Sequence, residues 1–257
     1  MKGTTGDPRV TQQTSGLGEQ ALEKIAEIGL STQLDEVERL DVAINTDPGK
    51  LVQGELESLT INADGLVMQE DLRMEKMTMQ INSLAINPLK ALIGNLELTQ
   101  PAQGIAHVVL TEADINRALE SEFLSNQIRN LTIQVEGKPV TIDTQNVTCH
   151  LLDDGKVGLD AEIIIRQTGE IKVVSFTTTP HLKDSGQGIS LDNIQYIQGK
   201  ELSPELTKAL VEKATELLNV SNFEMDGISL QLHQLNVEAG RLTLQAEAYV
   251  TQIPETN

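Results

Sequence analysis

Leu202-Ser-Pro-Glu-Leu-Thr-Lys-Ala-Leu-Val-Glu-Lys-Ala-Thr-Glu-Leu-Leu218 leads into two alternating stretches, Ile228-Ser-Leu-Gln-Leu-His-Gln-Leu-Asn-Val237 and Arg241-Leu-Thr-Leu-Gln-Ala-Glu-Ala-Tyr-Val250. Ser203 is an N-cap, Pro204 takes the first helical position and Glu205 stands at the positive end of the helix dipole. Leu206, Ala209, Leu210, Ala214, Leu217 and Leu218 recur at helical spacing and form one apolar stripe. Beyond the helix the period drops to two. Ile228, Leu230 and Leu232, then Leu242, Leu244, Ala246, Ala248 and Val250, fall on one side of their strands, and Gly240 marks the turn between them. Such alternation describes an antiparallel sheet with one dry face and one wet face.

The same order occurs once before, from Leu110 to about Ile165. Thr111-Glu-Ala-Asp114 is a capping box with Asp in place of the usual Glu, and Ile115, Ala118, Leu119 and Phe123 give the helix its apolar face. Strands are expected over Leu131 to Val135, Val140 to Asp143, Val147 to Leu151 and Val157 to Ile165, with a hairpin at Asp153-Asp154-Gly155-Lys156. Ile171 to Thr177 and Ile189 to Ile194 add two more, separated by a loop from Lys183 to Gly188.

Upstream, Leu17, Ala21, Ile25 and Ile28 fit one face of a helix over Gly16 to Leu30, and Val37 to Ile44 leads into a strand. Asp47-Pro48-Gly49 is a turn. Leu59, Ile61 and Ala63 alternate cleanly. Leu72, Met74, Met77, Met79 and Ile81 alternate with one irregularity near Glu75 and Lys76. Asn87-Pro88 opens a short helix over Leu89 to Ile93, ended by Gly94. Residues 1–15 read as a polar tail. No Gly/Ser-rich or Pro-rich linker divides residues 16–257, which read as one domain with an internal repeat at about 110–165 and 202–250. The expected fold is α+β, a long curved antiparallel sheet wrapped on two main amphipathic helices.

Composition narrows the function. The chain has 257 residues, enough to bury a core without a disulfide or metal. Its 38 acids against 19 bases, a net charge of −19, disfavour nucleic acid and lasting attachment to an anionic bilayer. Three Phe, two Tyr and no Trp leave few platforms for stacking on bases or sugars. A core of Leu, Ile, Val, Ala and Met suits an aliphatic ligand. The single cysteine, Cys149, lies in an alternating stretch and reads as a small buried hydrophobe. The N-terminus lacks the apolar run of a signal peptide, and no segment reaches about 18 consecutive apolar residues. A soluble, cytoplasmic protein is the expectation, with transient contact at a membrane.

A search for catalytic groups finds no cluster. His107, His150, His181 and His233 have no metal-ligand spacing, and His150 and His233 face water by register. Phosphate-binding loop, nucleophile elbow and dinucleotide fingerprint are all missing from the sequence. Asp153-Asp154 and Glu70-Asp71 read as turn chemistry. A hydrolase would need two close carboxylates with pKa values pushed apart, and no spacing predicts such a pair. No cofactor and no metal are expected.

Leu40-Asp-Val-Ala-Ile-Asn-Thr-Asp-Pro-Gly-Lys-Leu-Val-Gln-Gly54, Leu59-Thr-Ile-Asn-Ala-Asp-Gly-Leu66 and Leu110-Thr-Glu-Ala-Asp-Ile-Asn-Arg-Ala-Leu119 resemble segments of the LmeA-like phospholipid-binding family, the last of them a segment of its cyanobacterial-type members. The resemblance spans about Val37 to Val250 and rests on turns and caps. It implies a fold like the tubular lipid-binding proteins, a sheet wrapping a helix around an apolar groove. It also implies a phospholipid ligand, and brings no catalytic motif with it.

The reading is therefore non-catalytic binding or transfer of phospholipid or another acyl lipid in a groove between helices and sheet. Ile115, Leu119, Phe123, Leu206, Leu210 and Leu217 are the expected contacts, chosen as apolar and inward-facing on the two helices. Pro204 to Leu218 is 15 residues, roughly 22 Å of helix, longer than the ~15 Å depth of one bilayer leaflet. The alternative is a scaffold module that binds a protein through a sheet edge or its acidic face, with the dry face filled by its own side chains.

Overall fold

The structure, a computed structural model, describes residues 16–32, 34–68, 71–91, 93, 95–135, 137–197, 202–223 and 227–252. The expected tail over 1–15 and the Gly94 helix stop lie outside these residues. The helices are α1 (Leu17–Ser31), α2 (Pro48–Val52), α3 (Pro88–Ala91), α4 (Glu112–Glu120), α5 (Glu122–Ile128) and α6 (Pro204–Leu217). The first strands are β1 (Arg39–Asn45), β2 (Glu55–Met68), β3 (Leu72–Ala85), β4 (Ala102–Thr111) and β5 (Leu131–Val135). The others are β6 (Lys138–Leu151), β7 (Val157–Ile165), β8 (Glu170–Leu182), β9 (Ile189–Tyr196), β10 (Ile228–Glu238) and β11 (Arg241–Val250).

The architecture is α+β and antiparallel throughout, as expected, but its strands divide into two sheets. One has the order β1-β2-β3-β4-β11-β10 and the other β5-β6-β7-β8-β9. The chain builds four strands of the first sheet, then all of the second. After α6 it returns so that β11 pairs with β4, Leu242 opposite Leu110 and Val250 opposite Ala102. The two repeat copies thus supply different sheets: β5 to β7 follow α4 and α5 into the second, and β10 and β11 follow α6 into the first.

Local chemistry explains the departures from the expected elements. Asp47-Pro48-Gly49 starts the short helix α2 rather than a plain turn, because the Asp47 carboxylate accepts from the Gly49 N–H at 2.8 Å and Pro48 supplies a helical φ. The strands expected at 140–143 and 147–151 are one strand, β6. Asn146, at φ 50°, forms a bulge where the register against β7 shifts between Gln145 and Thr148. The irregularity expected near Glu75 and Lys76 is present: Met74 and Met77 both line the same hollow, so the inward face of β3 changes between them. The β2–β3 register stays constant there, and Gly65, at φ 60° between the pairs Asp64–Lys76 and Leu66–Met74, carries the change of buried face. The helix after Thr111 is interrupted at Ser121, whose hydroxyl accepts from Leu124 N–H and caps α5.

The 153–156 hairpin forms as read, with Asp154 and Gly155 both at positive φ, 62° and 71°, the pattern of a type I′ turn. Helix α1 lies along the edge strand β1. Its Glu19 and Glu23 carboxylates accept from the free Thr46 and Ile44 N–H groups at 3.0 and 2.9 Å, which shields a sheet edge that would otherwise invite pairing. Helix α6 covers the dry face of the five-stranded sheet, where Leu206 packs with Ile133, Ile142, Ile163 and Val174.

Helix α4 stands between the sheets, against β3 and β6. The Asn116 side chain donates to the Cys149 carbonyl at 2.9 Å and accepts from the Cys149 N–H at 2.7 Å. Leu151 N–H donates to the Glu112 carboxylate at 2.8 Å, and Gly240 N–H donates to the Leu151 carbonyl at 2.9 Å. A second seam runs along β10, where Leu232 N–H donates to the Gly186 carbonyl.

Candidate functional site

The dry face of the six-stranded sheet is not filled by its own side chains. It encloses a hollow of about 690 Å³, within the range of small-molecule sites. The reason lies in the floor. In the middle of the sheet the inward positions of β4 and β11 are small, with Gly104 opposite Ala248 and Ala106 opposite Ala246. Toward α4 they grow to Val108 opposite Leu244 and Leu110 opposite Leu242. Gly104 cannot be enlarged, because a Cβ there would lie 2.8 Å from the Gln80 carbonyl oxygen. Longer side chains stand on β2 and β3, among them Leu59, Ile61, Met77, Met79 and Ile81. Large walls around a floor of alanines leave room that neither α1 nor α4 reaches down to fill.

On β2 the lining runs from Leu56 to Met68, a contour of roughly 40 Å at about 3.3 Å per residue. Leu22, Ile25, Ala26 and Leu30 of α1 close one side. Ile115, Ala118 and Leu119 of α4 close one end, with Leu124 of α5 beside them. Leu218 and Val220, just past α6, reach the hollow on the β10 side.

Arg73 and Asp114 are the charged side chains of the lining, and they face each other at 2.6 Å. Asp114 is only 3% exposed. Burial pushes its carboxyl up, but the Thr111 hydroxyl and backbone N–H, at 2.7 and 2.8 Å, and the Arg73 guanidinium outweigh that and hold it below the usual carboxylate range. Arg73 also binds Glu38 at 3.0 Å and Glu75 at 2.9 Å, and the three carboxylates hold its proton more firmly than in a free arginine. The guanidinium is thus matched by protein anions already. The rest of the lining, Asn95 apart, is aliphatic or methionine.

Of the expected contacts, the structure brings Ile115 and Leu119 into the hollow, where they also pack near Cys149, Val237 and Leu242. Leu206 and Leu210 are placed on the other sheet, in the layer between α6 and β5 to β9. Leu217 is half-buried and outside the lining, whereas its neighbour Leu218 is part of it. The Phe123 side chain lies outside the described residues. Helix α1 lines the hollow although none of the expected contacts lies on it. The face that α1 turns inward is Leu22, Ile25, Ala26 and Leu30, whereas Leu17, Ala21 and Ile28 of the expected stripe are exposed; the signal in the sequence that marks the hollow sheet is the row of small residues on β4 and β11.

No group of three or more His, Cys, Asp or Glu among the described residues is arranged to hold a metal ion. His150 lies between Asp160 at 3.2 Å and Glu112 at 3.5 Å, and His233 beside Glu247 at 3.2 Å, all on partly exposed surface. Cys149 is buried, and desolvation, with the Glu112 carboxylate adding to it, pushes its thiol up to about 12, which leaves it a poor nucleophile. No helix among the described residues is long and apolar enough to cross a membrane.

A sequence model described as LmeA-like phospholipid-binding matches residues 14–247. No curated protein and no solved structure matches the chain.

Proposed function

The chain belongs to the LmeA-like phospholipid-binding family, and from that premise we propose that the hollow of the six-stranded sheet receives the acyl chain of a phospholipid and releases it again, without chemistry. The observation that carries the proposal is the hollow itself, a space of about 690 Å³ with aliphatic walls on a floor of alanines. Withdrawing a methylene from a bilayer forfeits about 0.8 kcal/mol, so a 16-carbon chain needs on the order of 12 kcal/mol of replacement burial. The aliphatic lining, which follows β2 for roughly 40 Å against the ~15 Å depth of one leaflet, supports such burial. Ile115 and Leu119 form the inner end of this site, and α1 and β2 to β4 its length. Leu206, Leu210 and Leu217 serve the packing of α6.

The headgroup remains outside. Arg73 is held by Glu38, Glu75 and Asp114, and a phosphate would have to displace one of them. Lipids are therefore selected through their tails. The filled-face scaffold reading loses its main support, because this dry face is open.

Protein purified without detergent is expected to carry phospholipid or fatty acid, detected by organic extraction and mass spectrometry. It is also expected to take up labelled phospholipid from vesicles. Absence of lipid in the extract together with no uptake would sink the proposal.

A further inference from the structure

Three short segments meet at the end of the six-stranded sheet away from α4: the start of α1, the helix α2 between β1 and β2, and the α3 segment between β3 and β4. Their contact is direct. A Cβ on Gly18 would lie 2.8 Å from Leu51 Cδ2, and one on Gly54 would lie 3.0 Å from Pro88 Cδ. Ile86 N–H donates to the Gly54 carbonyl at 2.8 Å. On these adjoining segments stand Leu17, Val52, Leu89 and Ile93, with 88%, 79%, 75% and 81% of their surfaces exposed. A single exposed aliphatic is ordinary, but a group of them at the end of an apolar hollow is not.

The hollow extends to this end. Ile86, Ile93, Leu96 and Leu98 line it, so Ile93 belongs both to the inner wall and to the exposed tip. Apolar surface thus runs unbroken from the floor of the sheet to the outside. The bases nearby are matched by acids, Lys50 with Glu57 at 2.7 Å and Lys90 with Glu97. The chain as a whole carries a net charge of −19. Such a tip has greasy side chains to insert and no surplus positive charge to attract an anionic surface.

We propose that this tip is the membrane-docking surface of the protein: Leu17, Val52, Leu89 and Ile93 insert into an electrically neutral bilayer and bring the mouth of the hollow against the acyl chains. The inference rests on the lipid-binding reading of the hollow and adds where, and on what kind of membrane, the lipid is collected. Because insertion is apolar, binding is strongest on zwitterionic vesicles and is not weakened by salt. On anionic vesicles it is weaker, since the acidic chain is repelled.

The test is co-flotation of the full chain with phosphatidylcholine vesicles, comparing the natural protein with a Leu17→Asp, Val52→Asp, Leu89→Asp triple variant. These three side chains do not line the hollow, so its capacity can be read separately by loading a fluorescent fatty acid from solution without vesicles. The triple variant is expected to bind vesicles at least tenfold more weakly while loading the fatty acid normally. An Ile171→Asp, Val173→Asp variant, at exposed aliphatic positions on the five-stranded sheet, is expected to float like the natural protein. Undiminished flotation of the triple variant, or a loss in the Ile171/Val173 variant as large as in the triple, overturns the proposal. So does a tip that proves to join two copies, seen as a dimer in sedimentation that the triple variant splits with vesicle binding unchanged. Failure of the natural protein to load fatty acid would instead count against the lipid-binding reading, and the flotation comparison would still decide the tip.

Discussion

The two sheets of this protein are made of similar strands and treat their dry faces in opposite ways. The five-stranded sheet is plugged: α6 lies on it, and Ile142, Ile163 and Val174 beneath are almost completely removed from solvent. The six-stranded sheet is bridged: α1 and α4 stand at its margins, and the space between them stays open over Ala106 and Ala246. Both faces satisfy the same alternation of apolar and polar residues. What separates them is side-chain volume at the centre of the sheet and where the helices happen to land. A plugged face contributes rigidity, and an open one retains apolar surface that another molecule can cover.

The strongest way to break the comparison is to remove volume from each face. Ile142→Ala, in the plugged layer, is expected to cost about 3–5 kcal/mol in urea denaturation, because the loss leaves a new cavity among close-packed neighbours. Met79→Ala, buried but bordering the hollow on one side, is expected to cost less, about 2 kcal/mol, at the low end for such a truncation. Equal costs would mean that the hollow is as tightly packed as the plugged layer. Next in size is the ion pair at the end of the hollow. Asp114→Asn loses both the attraction to Arg73 and the capping carboxylate of α4, and is expected to destabilise by about 2–3 kcal/mol at neutral pH. Since the Asp114 carboxyl is held below its unfolded value near 3.9, its stabilisation is complete above about pH 5 and is lost as pH falls through the lowered folded value. The acid limb of a stability profile is thus expected to flatten in the asparagine variant, and an unchanged limb would remove Asp114 from the account. The smallest effect sharpens the contrast. Ala106→Phe pushes a ring into the hollow and is expected to reduce lipid uptake by about tenfold, or 1.4 kcal/mol, with a change in stability under 1 kcal/mol. Ala209→Phe, on the side of α6 packed against the five-stranded sheet, is expected to destabilise by about 1–3 kcal/mol through overpacking and to leave uptake alone.

Much of the local structure was legible because it is set by neighbours in the chain. The Thr111–Asp114 box, the Ser203-Pro204 start and the Asp154-Gly155 hairpin each follow from a few residues, and each is found where the sequence puts it. Helix α1 also forms, but it buries Leu22 and Ala26, while Leu17, Ala21 and Ile28 of the expected stripe are exposed. Partnership between distant strands was not legible. Alternation says which side of β10 and β11 is dry, but not that they join β4 rather than the strands that precede them. The lining of the candidate site was legible only in part, for the same reason. Ile115 and Leu119 are apolar, inward and in the hollow, while Leu206 and Leu210 are equally apolar and inward and meet a different sheet. Nothing in the stripe of a helix states which surface it will cover. The row Ala102, Gly104, Ala106, read against Ala246, Ala248, Val250, did carry usable information, since small side chains on a dry face either admit a close neighbour or leave a space.

Asn116 fastens α4 to the second sheet by both ends of its amide, as a neighbouring strand would hold one more rung of a ladder. Glu112 adds a further tie at Leu151, and the β10–β11 turn is joined to the same place through Gly240. A wall anchored like this does not swing as a door. In the proposed lipid-binding role the α4 end is therefore the blind end of the pocket, where an acyl chain would stop with its methyl terminus leading and whatever it is attached to left at the opposite end.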